Sequence, residues 1–298
     1  MSMSRTSQTF LLNTGARIPG IGLGTWKSPG TEVRAAVSHA LRSGYRHIDT
    51  AWNYRNEVEV GQGIKDSGVL REQIWITTKL DNPWHHKARE GFEESLRDLG
   101  CGYVDLYLIH FPCSTNPDDQ SKHLDDWDFV KTWQEMQELL KTGKVKNIGV
   151  SNFQIRHLER LLNDPLCKTV PAVNQIELHP GNPSNKLLEY CKSKGIHCTA
   201  YSCLGGAIDN PLYKEPAVIG TAEELGKTPA QVLLMWSIQR GTSVIPKSVT
   251  PSRIDSNFDL DGWALSDSHM EALNGIKTRF KVVNDSWMPI KVFFGDDE

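Results

Sequence analysis

Apolar residues along the chain gather into eight short runs, each followed by a longer stretch with helical periodicity. The runs are "IGLG" (21–24), "RHID" (46–49), "IWITTK" (74–79), "VDLYLIH" (104–110), "VKNIGVS" (145–151), "AVNQIE" (172–177), "IHCTAYS" (196–202) and "SVIPKS" (243–248). In "TEVRAAVSHALRSG" (31–44), Val33, Ala36, Val37, Ala40 and Leu41 fall at i, i+3, i+4, i+7 and i+8, one face of a helix. Thr31 is expected to cap its start and Gly44 to end it in a left-handed conformation. "TPAQVLLMWSIQRG" (228–241) repeats the device, with Thr228 as cap, Pro229 at the first helical position and Gly241 beyond the end. Thr250 and Pro251 read as another helix start.

Eight strand–helix units fit an α/β fold of one kind, the (β/α)8 TIM barrel, which typically takes about 250 residues. No linker interrupts the chain, so residues 1–298 are read as a single domain. The nearest thing to a polar loop is "CSTNPDDQSKHLDDWD" (113–128). "TFLLNTGARIP" (9–19) reads as an N-terminal β-hairpin turning at Asn13–Gly15 and plugging one end of the barrel. An open doubly wound sheet is the competitor. It usually carries a GxGxxG turn that leads straight into a helix after its first strand, and "GIGLGTW" (20–26) has no immediate helix behind it.

Composition removes several function classes. Hydrophobic residues make up 39% of the 298, enough for a sizeable core. The formal net charge is −3 and the signs are interleaved, so neither a nucleic-acid footprint nor a polybasic membrane patch is expected. Cys101, Cys113, Cys167, Cys191, Cys198 and Cys203 form no CxxC pair and no zinc spacing, which reads as free thiols in a reducing compartment. "MSMSRTSQTFLLNTG" lacks the apolar stretch of a signal peptide, and no run is long enough to span a bilayer. A cytoplasmic protein without a membrane segment is expected.

Reactive groups in such barrels stand at the C-terminal ends of the strands. Those ends carry Asp49, Lys79, His110, Ser151 with Asn152, Glu177 with His179, Tyr201 with Ser202, and Lys247 with Ser248. Taken singly, each has a plainer account: a turn or cap aspartate, a solvated rim lysine, a hydrogen-bonded structural histidine. Asp, Lys and His ending three successive strands are unusual without a use for them. Tyr54, five residues after Asp49, supplies the use. A free phenol has a pKa of about 10 and donates poorly near neutrality. A lysine ammonium beside it favours the phenolate and lowers that value. Asp49 would hold Lys79 charged, and His110 would orient a carbonyl by hydrogen bonding. That set suits protonation of a carbonyl oxygen while hydride arrives at carbon.

"DTAWNYRNEVEVG" (49–61), "LYLIHFP" (106–112), "IGVSNF" (148–153), "PAVNQIELHP" (171–180) and "IPKSVTPSRIDSNF" (245–258) closely resemble signature stretches of the aldo-keto reductases, in order and across essentially the whole chain. The resemblance implies a (β/α)8 barrel binding NADPH/NADP+ and reducing aldehydes or ketones. It implies a catalytic tetrad of Asp49, Tyr54, Lys79 and His110, with Tyr54 as acid/base, Lys79 and Asp49 as its tuners and His110 as carbonyl orienter. Carried over residue by residue, Thr25 and Trp26 border nicotinamide and substrate; Ser151, Asn152 and Gln175 hold the carboxamide; Tyr201 stacks on the ring. Ser202, Leu204 and Gly206 run past the pyrophosphate. Lys247, Ser248 and Arg253 grip the 2′-phosphate, with Val249 among the cofactor-binding residues and Asn257 at the adenine. That last group makes independent sense, because a helix N-terminus flanked by Lys and Arg attracts a phosphate.

Some positions depart from the common pattern. Ser256 stands where many members carry an acid, Cys203 where "AYSPLG" is usual, and Asp81, in "TKLDNPWHH", where many place a tryptophan. Residues 79–84 and the ending "IKVFFGDDE" look most like fungal reductases of the glycerol dehydrogenase or glyceraldehyde reductase type. The substrate pocket is expected from Trp26, Asn53, Tyr54, Asp81, His110, Phe111 and Trp287, on strand-end loops and a C-terminal substrate loop, with Asn82 at its rim. The partner is a small carbonyl or polyol substrate, with no nucleic acid, no membrane and a monomeric chain. Two rivals remain: a barrel that binds NADPH without turnover, and a metal-dependent hydrolase built on the His47–Asp49 pair. The second lacks the three or four converging ligands a metal requires, so no metal is expected.

Overall fold

A computed structural model describes residues 8–207 and 209–295; the outermost residues of the "MSMSRTS" start and the "DDE" end lie outside that range. β1 (Thr9–Leu11) and β2 (Arg17–Pro19) form the N-terminal antiparallel hairpin. The parallel strands are β3 (Leu23–Gly24), β4 (His47–Asp49), β5 (Trp75–Leu80), β6 (Val104–Ile109), β7 (Val145–Ser151), β8 (Val173–Glu177), β9 (His197–Tyr201) and β10 (Ser243–Val244). Each coincides with one of the eight apolar runs. Between them lie α1 (Gly30–Arg42), α2 (Glu57–Ser67), α3 (Ala88–Leu99), α4 (Phe129–Leu140), α5 (Ile155–Leu162) and α6 (Asn185–Ser193). α7 (Pro216–Leu225) and α8 (Pro229–Gln239) precede β10; α9 (Pro251–Phe258) and α10 (Asp267–Asn274) follow it.

The sheet runs β3 to β10 in unbroken sequence order. Its two edges meet through parallel bridges at Ile21–Val244 and Gly24–Lys247, so the barrel closes. Closure is tight at Gly24, where a Cβ would lie 2.7 Å from the Ile245 carbonyl oxygen. Only glycine admits that approach, and it brings the segment after β10 beside the loop after β3. The strands are buried on both faces, as parallel strands between a filled interior and a helical coat must be.

The hairpin plugs the N-terminal end. Its Leu12 and Ile18 pack on Trp75, Leu106, Leu108, Ala172 and Val173, and Phe10 stacks on His197 with ring centroids 4.9 Å apart. Gly15 turns it at φ +86°. α8 begins as expected: Thr228 accepts from the Gln231 backbone N–H, closing a capping box, and Pro229 fills the first position. α1 begins differently. It starts at Gly30 behind Pro29, whose φ of −59° already aims the chain, so Thr31 lies inside the first turn and caps nothing. Gly44 adopts the expected positive φ, +110°.

Candidate active site

Asp49 ends β4, and Lys79 lies one residue from the end of β5, so both project at the same mouth of the barrel. Lys79 Nζ donates to Asp49 Oδ1 at 2.6 Å, to the Thr50 carbonyl at 2.8 Å and to Tyr54 Oη at 3.2 Å. Three acceptors match the three protons of an ammonium. Gln175 Nε2 donates to the other aspartate oxygen at 2.6 Å, and Thr25 Oγ1 donates to the Asp49 carbonyl at 3.0 Å. Lys79 and Asp49 are 0% and 1% exposed. Charges so far from water persist only when paired and hydrogen-bonded, and here they are.

Tyr54 arrives on a single 3-10 turn, Trp52–Tyr54, which ends at Arg55 in the left-handed region. Asn56 ties that turn to the loop after β3 by donating to the carbonyls of Thr25 and Ser28. The phenol differs from the sequence expectation. Burial raises its pKa and outweighs the downward pull of Lys79, so the net shift is upward. Near neutral pH the hydroxyl keeps its proton. Burial alone would lower Lys79, but Asp49 and Tyr54 reverse it and the net direction is up. A neutral proton donor beside a fixed ammonium results.

His110 follows β6, with its ring edge-on to Tyr54 at 5.7 Å and stacked on Phe111 at 5.0 Å. Burial lowers its pKa, against the pull of Asp81. Asp81 itself is buried at 4% exposure, with Oδ1 3.5 Å from His110 Nδ1. It makes no side-chain cap to the turn that follows.

Ser151, Asn152, Gln175 and Tyr201 line the next part of the mouth and hold one another. Ser151 Oγ donates to the Gln175 carbonyl, Asn152 Nδ2 to the His110 carbonyl and Tyr201 Oη to Asn152 Oδ1. Asn152 and Ser202 occupy left-handed backbone at φ +65° and +45°, conformations of the sort that collect at functional sites. The run from Ser202 through Leu204 to Gly206 turns on two glycines of positive φ. A Cβ at Gly206 would lie 3.1 Å from Val282, so this run packs under the C-terminal segment.

Lys247 and Arg253 are exposed and have no ion pair or side-chain hydrogen bond among the described residues. They flank the start of α9 at Thr250–Pro251, with Val249 half-buried and Asn257 buried close by in sequence. Ser248 Oγ accepts from the Thr250 backbone N–H and shapes that entry. Two unpartnered cations at a helix N-terminus fit the 2′-phosphate of NADPH.

Trp26 at 38% and Trp287 at 52% remain exposed at the rim; Trp287 meets Phe111 edge-on at 5.4 Å. Asn53 is exposed, whereas Asn82 is buried with its side-chain oxygen unpaired. The C-terminal segment is strapped across the mouth. Glu177, at the end of β8, accepts from the backbone N–H groups of Val282 and Val283, and Gln154 Oε1 accepts from that of Phe294. Sequence reading placed Glu177 at a strand end without that task, and it missed the grip of Gln175 on Asp49. His47 pairs with Thr77 Oγ1 at 3.0 Å inside the barrel, while Asp49 is occupied by Lys79 and Gln175.

The closed barrel, with an ammonium beside a phenol at its mouth, suits proton transfer to a carbonyl oxygen. Residues 20–278 match the model of the aldo/keto reductase family, and the chain belongs to that family. It is 48% identical to glycerol 2-dehydrogenase (NADP(+)) of Saccharomyces cerevisiae, over 97% of this chain and 97% of the relative. It is 45% identical to aldehyde reductase YPR1 of the same yeast, over 98% of this chain and 99% of the relative. The structure of the aldose reductase from Schistosoma japonicum superposes with a TM-score of 0.88 at 41% identity, covering 94% of this chain and 96% of that one. The chain is thus an NADP-dependent oxidoreductase of this family, and a non-catalytic barrel is disfavoured. No helix among the described residues is long and apolar enough to cross a membrane.

Proposed function

We propose that the protein reduces small hydroxylated aldehydes, and reactive aromatic aldehydes beside them, with Tyr54 as the proton donor. The observation that carries this reading is the 3.2 Å contact of Lys79 Nζ with Tyr54 Oη, itself fixed by the 2.6 Å bond to Asp49. NADPH, when bound, supplies the hydride. Tyr54 gives its proton to the carbonyl oxygen, and Lys79 stabilises the phenolate left behind until solvent reprotonates it. His110 hydrogen-bonds and orients that oxygen. Ser151, Asn152 and Gln175 would hold the carboxamide, the face of Tyr201 would meet the nicotinamide ring, and Lys247, Ser248 and Arg253 would grip the 2′-phosphate.

Substrate polarity follows from the mouth. Trp26, Phe111 and Trp287 offer apolar walls, while Asn53, Asp81 and Asn82 bring polar groups near them. Polar walls reject a ligand that leaves them unpaired more strongly than apolar walls reject an added hydroxyl. A relative named for glycerol supports the hydroxylated class. Every site residue comes from one barrel, which supports a monomer as the working unit, and six unpaired thiols support a reducing, cytoplasmic setting. The test is NADPH consumption with glyceraldehyde, an unsubstituted aliphatic aldehyde and an aromatic aldehyde, beside NADP+-linked oxidation of glycerol. Glyceraldehyde is expected to exceed the aliphatic aldehyde in kcat/KM; equal values would overturn the substrate class.

A further inference from the structure

Asp81 and His110 form a buried pair whose contact with each other the reading above leaves without a task. The Asp81 side chain makes no hydrogen bond of ordinary geometry among the described residues, and its Oδ1 lies 3.5 Å from His110 Nδ1. His110 Nδ1 is buried, also without a hydrogen bond. A proton placed only on Nε2 would leave the Nδ1 lone pair facing a carboxylate. A proton on Nδ1 turns that facing pair from repulsive to attractive. Nε2, on the far side of the ring, has no hydrogen-bond partner among the described residues and is left for the substrate oxygen.

We propose that Asp81 is a positioning residue for His110, holding a proton on Nδ1 so that Nε2 alone meets the substrate and donates to it from a cationic ring. Two states follow. When the pair holds its extra proton, on the acid side of the lowered His110 transition, Nε2–H is a donor matched to a carbonyl oxygen. When that proton leaves, the one on Nδ1 stays with Asp81, and Nε2 becomes an acceptor matched to an alcohol hydroxyl. Rising pH through this transition therefore weakens carbonyl reduction and favours alcohol oxidation. The groups facing the ring are Asp81 and Lys79 from β5 and its loop, Asp49 and Tyr54 from β4 and its loop, and His85 from the turn after Asp81. Burial pushes His110 down and Lys79 adds to that, while Asp81 and Asp49 oppose them. Asp81 places an oxygen 3.5 Å from Nδ1.

The inference rests on the roles proposed for Tyr54 and His110, yet its test needs no turnover. Nitrogen NMR of the His110 imidazole, assigned with His110→Gln and recorded on the full chain with NADP+, reads tautomer and titration directly. In wild type the ring above its transition is expected as the Nδ1–H tautomer. Asp81→Asn is expected to lower the transition by about one pH unit or more and to bring up the Nε2–H tautomer. Asp81→Glu should largely restore wild-type behaviour, which a merely structural side chain would not do. Should Asp81→Asn fail to fold, Asp81→Ser carries the same test. An unmoved midpoint and tautomer in the Asn or Ser variant overturn the proposal, whatever turnover does. A moved midpoint in a protein that consumes no NADPH would keep it and sink the carbonyl-reductase roles instead.

Discussion

The two halves of the barrel mouth hold their charges in opposite ways. At the ends of β4 and β5, the buried Asp49, Lys79 and Gln175 and the half-buried Tyr54 share one network of bonds between 2.6 and 3.2 Å. Around the start of α9, Lys247 and Arg253 stand in water with no partner among the described residues. The first region is finished before anything binds; the second is incomplete until an anion arrives. Fixed dipoles serve chemistry because they need not reorganise during the reaction. Unpaired surface cations serve capture, since no internal salt bridge has to break first.

Four measurements bear on that contrast. The largest effect is expected from Tyr54→Phe, which keeps the ring and removes the proton: carbonyl reduction should fall by about 10²–10⁴-fold. NADPH affinity should hold, and a variant with more than about a third of wild-type turnover would remove Tyr54 from its role. Next, Lys79→Met strands Asp49 as a buried unpaired charge and should cost roughly 3–5 kcal/mol in denaturant unfolding. Lys247→Ala, by contrast, should change apo stability by less than about 0.5 kcal/mol. Similar losses in the two would erase the distinction between the regions. Third, charge-assisted contacts are worth about 1.5–3 kcal/mol each. Lys247→Ala with Arg253→Ala should therefore cut the NADPH-over-NADH preference by tens- to thousands-fold, read from the ratio of kcat/KM values. An unchanged ratio would move the phosphate site elsewhere.

The smallest effect concerns the wall behind the catalytic strand. Glu57 is buried against Thr78, and burial pushes its carboxyl up to about 7, with the Thr78 hydrogen bond opposing. A carboxyl raised in the folded state stabilises below its ordinary value of 4.5, and that contribution is lost as pH rises through about 7. The upper limit is about 3 kcal/mol. Glu57→Gln should flatten unfolding free energy between pH 5 and 7; an unchanged slope would show that Glu57 stays ionised.

Much of this was legible in the chain. Apolar runs located every barrel strand, because a parallel strand buried on both faces cannot hide its composition. A polar residue breaking each run marked the mouth, which found Asp49, Lys79 and His110. The partnerships were not legible. Gln175 reaches Asp49 across 126 residues, and Glu177 reaches Val282 across 105. Strand-end position says which side chains share a rim, and nothing in periodicity says which of them touch. The direction of the Tyr54 shift escaped for a similar reason: Lys79 was visible, and the depth of burial that outweighs it was not. Thr31 failed as a cap because Pro29 had already set the entry to α1.

The strap over the mouth has a consequence for how such a protein can change. Val282, Val283 and Phe294 are fastened through backbone N–H groups, by Glu177 and Gln154, so the fastening is indifferent to which side chains the segment carries. Trp287 and its neighbours can then be exchanged while both buckles stay closed. Val292 is buried against Phe111 and Cys113, so the exposed positions of the segment are those free to vary while the strand-end network beneath stays as it is.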